Sequence, residues 1–284
     1  MTTAPTASSL RSGLDWTKRA LLIVSQGLSP QSGWAPFVLV FLTVLSVVWS
    51  IEQAKWVETP SLAMIAFWGI TTGALLAKIR LPALFLQPFA LLTGAGVVAW
   101  HSTKLISGGS LAYRFDELWN RADAWVTAAS TNGISTDPVP FSFALMALSW
   151  LLSYLCAWFV FRNQNFWIPL ILAGTGILIN LSYLPAQNFG FFITYLILSM
   201  LLAALVHIRR REERWKAKGV TPIPYLAATN IHHAFWLATI AIVIAFLLPI
   251  RESSLPAFKR TYEFVTMPLE RYHGDFNRLF AGIP

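Results

Sequence analysis

The chain has 284 residues, of which 56% are hydrophobic and only 12% charged, and its mean hydropathy is +0.57. A composition so apolar and so poor in charge excludes an ordinary soluble domain and makes a lipid bilayer the expected solvent. The formal net charge of +8 does not point to nucleic acid, because the basic residues stand at the ends of apolar runs and form no continuous basic surface.

Residues 1–33 read as a cytoplasmic N-terminal tail. Within it Leu14, Ala20, Leu21 and Val24, set among Asp15, Lys18 and Arg19, predict a short interfacial helix lying on the membrane. The first long apolar run begins at Trp34 and has no small-x-small cleavage site after it, so it reads as an uncleaved span.

A bilayer core about 30 Å thick needs about 20 apolar residues per crossing helix. On that measure seven spans are expected between residues 34 and 250: Trp34–Ile51, Ser61–Ala77, Leu81–Trp100, Val139–Phe161, Phe166–Leu184, Phe189–Val206 and Ile231–Ile250. The expected fold is an all-α, polytopic membrane bundle. None of these runs contains Asp, Glu, Lys or Arg, which argues against a charged relay across the membrane.

Alternate loops differ in charge. Segments on the N-terminal side of the membrane hold 12 of the 21 Lys and Arg residues, whereas the opposite segments hold ten of the 13 acids. The positive-inside rule then places the N-terminus in the cytoplasm and the C-terminus outside. Trp34, Trp49, Trp56, Trp100, Trp158 and Trp167 fall near span ends, where an amphipathic ring suits the headgroup layer. Trp68 and Trp150, in mid-span, read as bundle packing.

Three segments outside the spans carry signal. Between the third and fourth spans, residues 110–129 bring Leu111, Phe115, Leu118, Ala122, Trp125 and Val126 to one helical face. This is expected to be an external amphipathic helix, against the bilayer or a membrane-protein partner. The cytoplasmic basic segment 208–230 continues the sixth span as a charged helix, in which Arg209, Arg210, Arg211, Arg214, Lys216 and Lys218 are expected to contact anionic lipid headgroups. Residues 251–284 form an external C-terminal segment too short for an independent domain.

No catalytic set, cofactor site or metal site is expected. Cys156 lies in an apolar run without a nearby His. His207, His232 and His233 cluster near span ends, but adjacent helical residues do not share a face and no carboxylates accompany them. Among polar residues within spans, Gln87, followed by Pro88, and Asn180 are the candidates to line a cavity, in competition with hydrogen bonding between helices. A surface helix followed by three spans occurs twice, at 13–100 and 111–206, starting from opposite sides. This order suits an inverted repeat, although no residues match between the halves.

The runs Asp137-Pro-Val-Pro-Phe141, Trp150-Leu-Leu-Ser-Tyr154-Leu-Cys-Ala-Trp158-Phe-Val-Phe-Arg162 and Asn180-Leu-Ser-Tyr183, with Pro169 and Gly174, resemble the membrane domain of bacterial transglutaminase-like membrane proteins. The later Arg209-Arg-Arg-Glu-Glu-Arg-Trp215 and Phe276-Asn-Arg-Leu-Phe280 are similar too. The resemblance implies a multi-pass protein of the bacterial inner membrane, in which an extracytoplasmic papain-like domain with a Cys-His-Asp triad follows the spans. This sequence stops at Pro284, about where that domain would start, so no triad residue carries over. The expected role is a non-catalytic anchor or scaffold. The alternatives are a small transporter or lipid-handling protein, or an accessory subunit of a membrane complex.

Overall fold

The computed structural model describes residues 34–131, 133–182 and 188–219, with isolated helical positions between 229 and 243. Seven α-helices occupy the continuous part: α1 (Trp34–Ala54), α2 (Leu62–Lys78), α3 (Ala83–Ser102), α4 (Leu111–Ser130), α5 (Val139–Asn163), α6 (Trp167–Ser182) and α7 (Phe189–Ala217). The expected N-terminal interfacial helix, the C-terminal segment 251–284 and most of the expected seventh span lie outside the described residues.

Four stretches, Trp34–Ala54, Ala83–Leu105, Val139–Asn163 and Phe189–Trp215, are long and apolar enough to cross a membrane. Helices satisfy their own backbone hydrogen bonds, which hydrocarbon requires of any crossing segment. Over the described residues the helices at the second and fifth expected spans are shorter, at 17 and 16 residues. Each would reach only about 25 Å at 1.5 Å per residue.

The tightest pairing is α2 against α5, and its cause is local. A Cβ placed on Gly69 would stand 2.7 Å from the Trp150 carbonyl oxygen and 2.8 Å from Ser153 Cβ. One placed on Gly73 would stand 2.7 Å from the Tyr154 carbonyl and 2.8 Å from Ala157 Cβ. A glycine pair four residues apart thus faces a stripe of small residues and lets two backbones meet, as membrane helices do when packing rather than hydrophobicity drives association. Both glycines step along α5 in the same direction, so α2 and α5 run parallel.

Both ends of α2 are clamped. At its start, Glu52 Oε1, from the last turn of α1, accepts from the backbone N–H of Leu62 at 2.5 Å and of Ala63 at 3.3 Å. At its end, the Arg162 guanidinium of α5 donates to the carbonyls of Ala77 at 3.3 Å, Ile79 at 2.5 Å and Leu81 at 2.9 Å. An anion at the helix N-terminus and a cation at the C-terminus both complement its dipole. The Glu52 contact also makes α1 and α2 an antiparallel hairpin.

Among the helices other than α4, α1 packs on α2, α5, α6 and α7; α5 packs on α1, α2, α3 and α6; α2 packs on α3; and α6 packs on α7. Exchanging α1 with α5, α2 with α6 and α3 with α7 leaves this set of pairs unchanged. Direction obeys the same exchange: α2 is parallel to α5, and α6 is parallel to α1, since Gly176 meets Val47 and Asn180 meets Ser50. The main core, with Val40, Val44, Val48, Ile65, Ile70, Met146, Trp150 and Tyr154, lies around α1, α2 and α5, and a smaller cluster joins Val47 to Ala173, Ile177 and Tyr195.

Two tryptophan expectations need correcting. Trp68 is 46% exposed on the outside of the bundle, while Trp158 is only 4% exposed and packs in the core beneath Arg162, 5.7 Å from its ring centroid. The reason is helical phase. Trp150, Tyr154 and Trp158 share the inward face of α5 at four-residue spacing, whereas Trp68 precedes Gly69 on α2 and points away from the glycine seam.

Candidate functional site

The two amides singled out by sequence both bond to neighbouring helices. Gln87 Oε1, on α3, accepts from the Tyr154 hydroxyl of α5 at 2.8 Å. Pro88 stands one residue later inside α3 and provides no N–H to the preceding turn. Asn180, 7% exposed on α6, donates through Nδ2 to Ser50 Oγ of α1 at 3.1 Å and accepts through Oδ1 from Trp56 Nε1 at 3.2 Å. Each amide joins a different pair of helices, and the two are not brought together into one cluster.

Next to Gln87 and Tyr154 lies a feature with no strong sequence signal. The Trp150 ring is stacked on Tyr154, with centroids 5.2 Å apart and planes 4° apart. Its benzo edge fills the space over Gly94, where a Cβ would come within 2.6 Å of it. Trp150 Nε1 and Ser149 Oγ are buried without hydrogen-bond partners among the described residues. The four-residue spacing of Trp150, Tyr154 and Trp158 is the signal that could have indicated this face, but spacing cannot tell a lipid-facing aromatic stripe from a core one.

The basic segment is helical through Ala217. Its arginines differ in their surroundings. Arg210 Nη2 donates to the Asn163 carbonyl at 3.1 Å, tying α7 to the end of α5. Beside it Gln164, in left-handed backbone at φ +50°, donates through Nε2 to Glu213 Oε2 at 2.6 Å. The Arg211 guanidinium lies 5.2 Å from the Trp215 ring centroid, a cation–π arrangement. Arg209 Nη1 is buried with no partner among the described residues. Arg214 and Lys218 are exposed.

Helix α4 is capped by Ser110, whose hydroxyl accepts from the Tyr113 N–H at 3.3 Å. No residue of α4 is buried, and Trp119 is 76% exposed. Arg121 secures the helix, pairing with Glu117 at 2.8 Å and with Asp137 at 3.5 Å, ahead of α5. The hydrogen bond that Arg121 donates to Glu117 raises its pKa above the ordinary value, with Asp137 adding to the effect.

Among the histidines, His101 is buried with Nδ1 2.9 Å from the Val97 carbonyl, and His207, His232 and His233 are exposed. Trp236 Nε1 donates to His232 Nε2 at 3.1 Å. Cys156 is buried in the main core. Among the described residues, no three His, Cys, Asp or Glu side chains are grouped to hold a metal ion.

These helices define the class: an all-α protein with several helices apolar and long enough to make it a multi-pass membrane protein. No family model matches the sequence, and no curated protein or solved structure matches it significantly.

Proposed function

We propose that the chain is a non-catalytic anchor or scaffold of the bacterial inner membrane, of the kind its resemblance to the membrane domain of transglutaminase-like proteins implies. In this reading it crosses the membrane seven times with its N-terminus inside, and the segment 208–230 forms a cationic collar on anionic headgroups. The observation that carries the reading is the glycine seam between α2 and α5, locked at its two ends by Glu52 and Arg162. A pair of helices in backbone contact and capped at both ends favours a rigid support over a pair that slides. No residue of helix α4 is buried, and Leu111, Phe115 and Val126 of its apolar face are exposed.

The test is the state of the native polypeptide in its own membranes, compared with the 31.7 kDa calculated for this sequence. An anchor is expected either at a substantially larger intact mass, as part of a longer enzyme, or in a stable native complex with a second protein. A species of 31.7 kDa that migrates without a protein partner would overturn the reading.

A second reading has its own support in the exchange symmetry of the helix packing. Two three-helix units of opposite direction, α1–α3 and α5–α7, are the architecture on which many secondary transporters are built, with sites at the interface between the units. A small transporter or lipid-handling protein would lose uptake on Gln87→Ala or Asn180→Ala, whereas a scaffold keeps its complex and its place in the membrane.

A further inference from the structure

We propose that the basic end of α7 holds one discrete site for the phosphodiester of an anionic phospholipid, with Arg209 as its central ligand. This goes beyond a diffuse basic collar and does not depend on whether the chain is an anchor or a transporter.

Position comes first. Helix α7 has 29 residues, about 44 Å at 1.5 Å per residue, against a hydrocarbon core of about 30 Å. Counted from Phe189, the helix fills that thickness at residue 208, so Arg209 stands where acyl chains give way to headgroup phosphates. Phase comes second. Leu202 and Val206, seven and three residues earlier, lie in the main core with Val40 and Val44 of α1. Arg209 continues that inward stripe and is half-buried, whereas Arg211 and Arg214 are exposed.

Chemistry comes third. Of the four arginines Arg162, Arg209, Arg210 and Arg211, three are engaged: Arg162 with the carbonyls after α2, Arg210 with the Asn163 carbonyl, and Arg211 with the Trp215 ring. Arg209 has a buried Nη1 without a partner among the described residues. Burial works against its charge and lowers its pKa, with Glu212 and Glu213 offsetting part of that through space; neither forms an ion pair with it, and Glu213 is held by Gln164.

A buried guanidinium N–H without an acceptor is costly, and a planar guanidinium is matched by two oxygens of a phosphodiester. The surrounding excess of arginine disfavours a choline or ethanolamine ammonium beside that phosphate, which selects a lipid with net negative charge.

The test titrates the full chain in non-ionic detergent with phosphatidylglycerol and counts retained lipids by native mass spectrometry. The wild type is expected to saturate one tight site that phosphatidylcholine does not fill. Arg209→Gln should weaken that site about tenfold or more, while Arg80→Gln, an equal change of charge at an exposed residue outside the basic end of α7, should leave it within about twofold. Should Arg209→Gln fail to fold, Arg209→Lys retains the charge but not the fork and is expected to weaken binding severalfold; unchanged affinity would count against the site. Equal losses at Arg209 and Arg80 would mean diffuse attraction, and full displacement of the lipid by inorganic phosphate would mean a site for free anions. Either result overturns the proposal.

Discussion

At the scale of single residues, the bundle depends on what is missing from a side chain as much as on what is present. Gly73→Ala places a methyl group 2.7 Å from the Tyr154 carbonyl oxygen, and neither the backbone of α5 nor Ala157 beside it can swing aside. The expected cost is about 1–3 kcal/mol, read as a lower unfolding temperature in detergent. Gly96→Ala, where a Cβ meets nothing within 4 Å, is the control and should not show that loss. Asn180→Ala removes one hydrogen bond each from Ser50 and Trp56 and is expected to cost about 0.6–2 kcal/mol, measured the same way. The sequence marked Asn180 because an amide deep in an apolar run is conspicuous. It did not mark Gly69 and Gly73, although four-residue glycine spacing in an apolar stretch is a known pointer to close helix packing.

At the scale of elements, helix ends are completed by residues remote in sequence. Ser61 stands at the N-cap of α2 but makes no side-chain cap bond, and the Glu52 carboxylate from the preceding helix takes its place. Arg162 does the converse at the other end. Arg162→Gln would leave carbonyls at the end of α2 without their cationic donor. It should destabilise the fold by about 1–3 kcal/mol and raise hydrogen exchange in the last turn of α2 while leaving α7 unchanged. From sequence, Arg162 read only as one basic residue in a topology count, because local spacing cannot show that its side chain reaches a segment some 80 positions earlier. Helix α4, by contrast, was legible in advance. Its apolar residues recur at helical spacing and its ionic ones fill the other face, so its phase needed no tertiary contact.

At the scale of the molecule, two properties belong to no single helix. One is the exchange of α1–α3 with α5–α7, which the order of elements suggests and the packed pairs display. The other is sidedness. The proposed topology expects a cysteine at Lys218 to react with a membrane-impermeant maleimide only from the cytoplasmic side and one at Ser110 only from the outside. Labelling of both from one side would overturn it. Cys156, the only native cysteine, is buried and should not obscure the result.

The sequence by itself determined the solvent and the class of secondary structure, because long runs without charge have few stable solutions in hydrocarbon other than helices. It also determined the positions of the main apolar stretches and the amphipathic phase of α4, since both are properties of consecutive residues. Only the tertiary structure decided which helices touch, that α2 and α5 run parallel in backbone contact, and that Trp158 is buried while Trp68 is not. It alone separated Arg209 from the arginines beside it. Within a bilayer every face of a span is apolar, so hydrophobic periodicity no longer separates inside from outside, and the distinction passes to shape and to hydrogen-bond partners far apart in the chain.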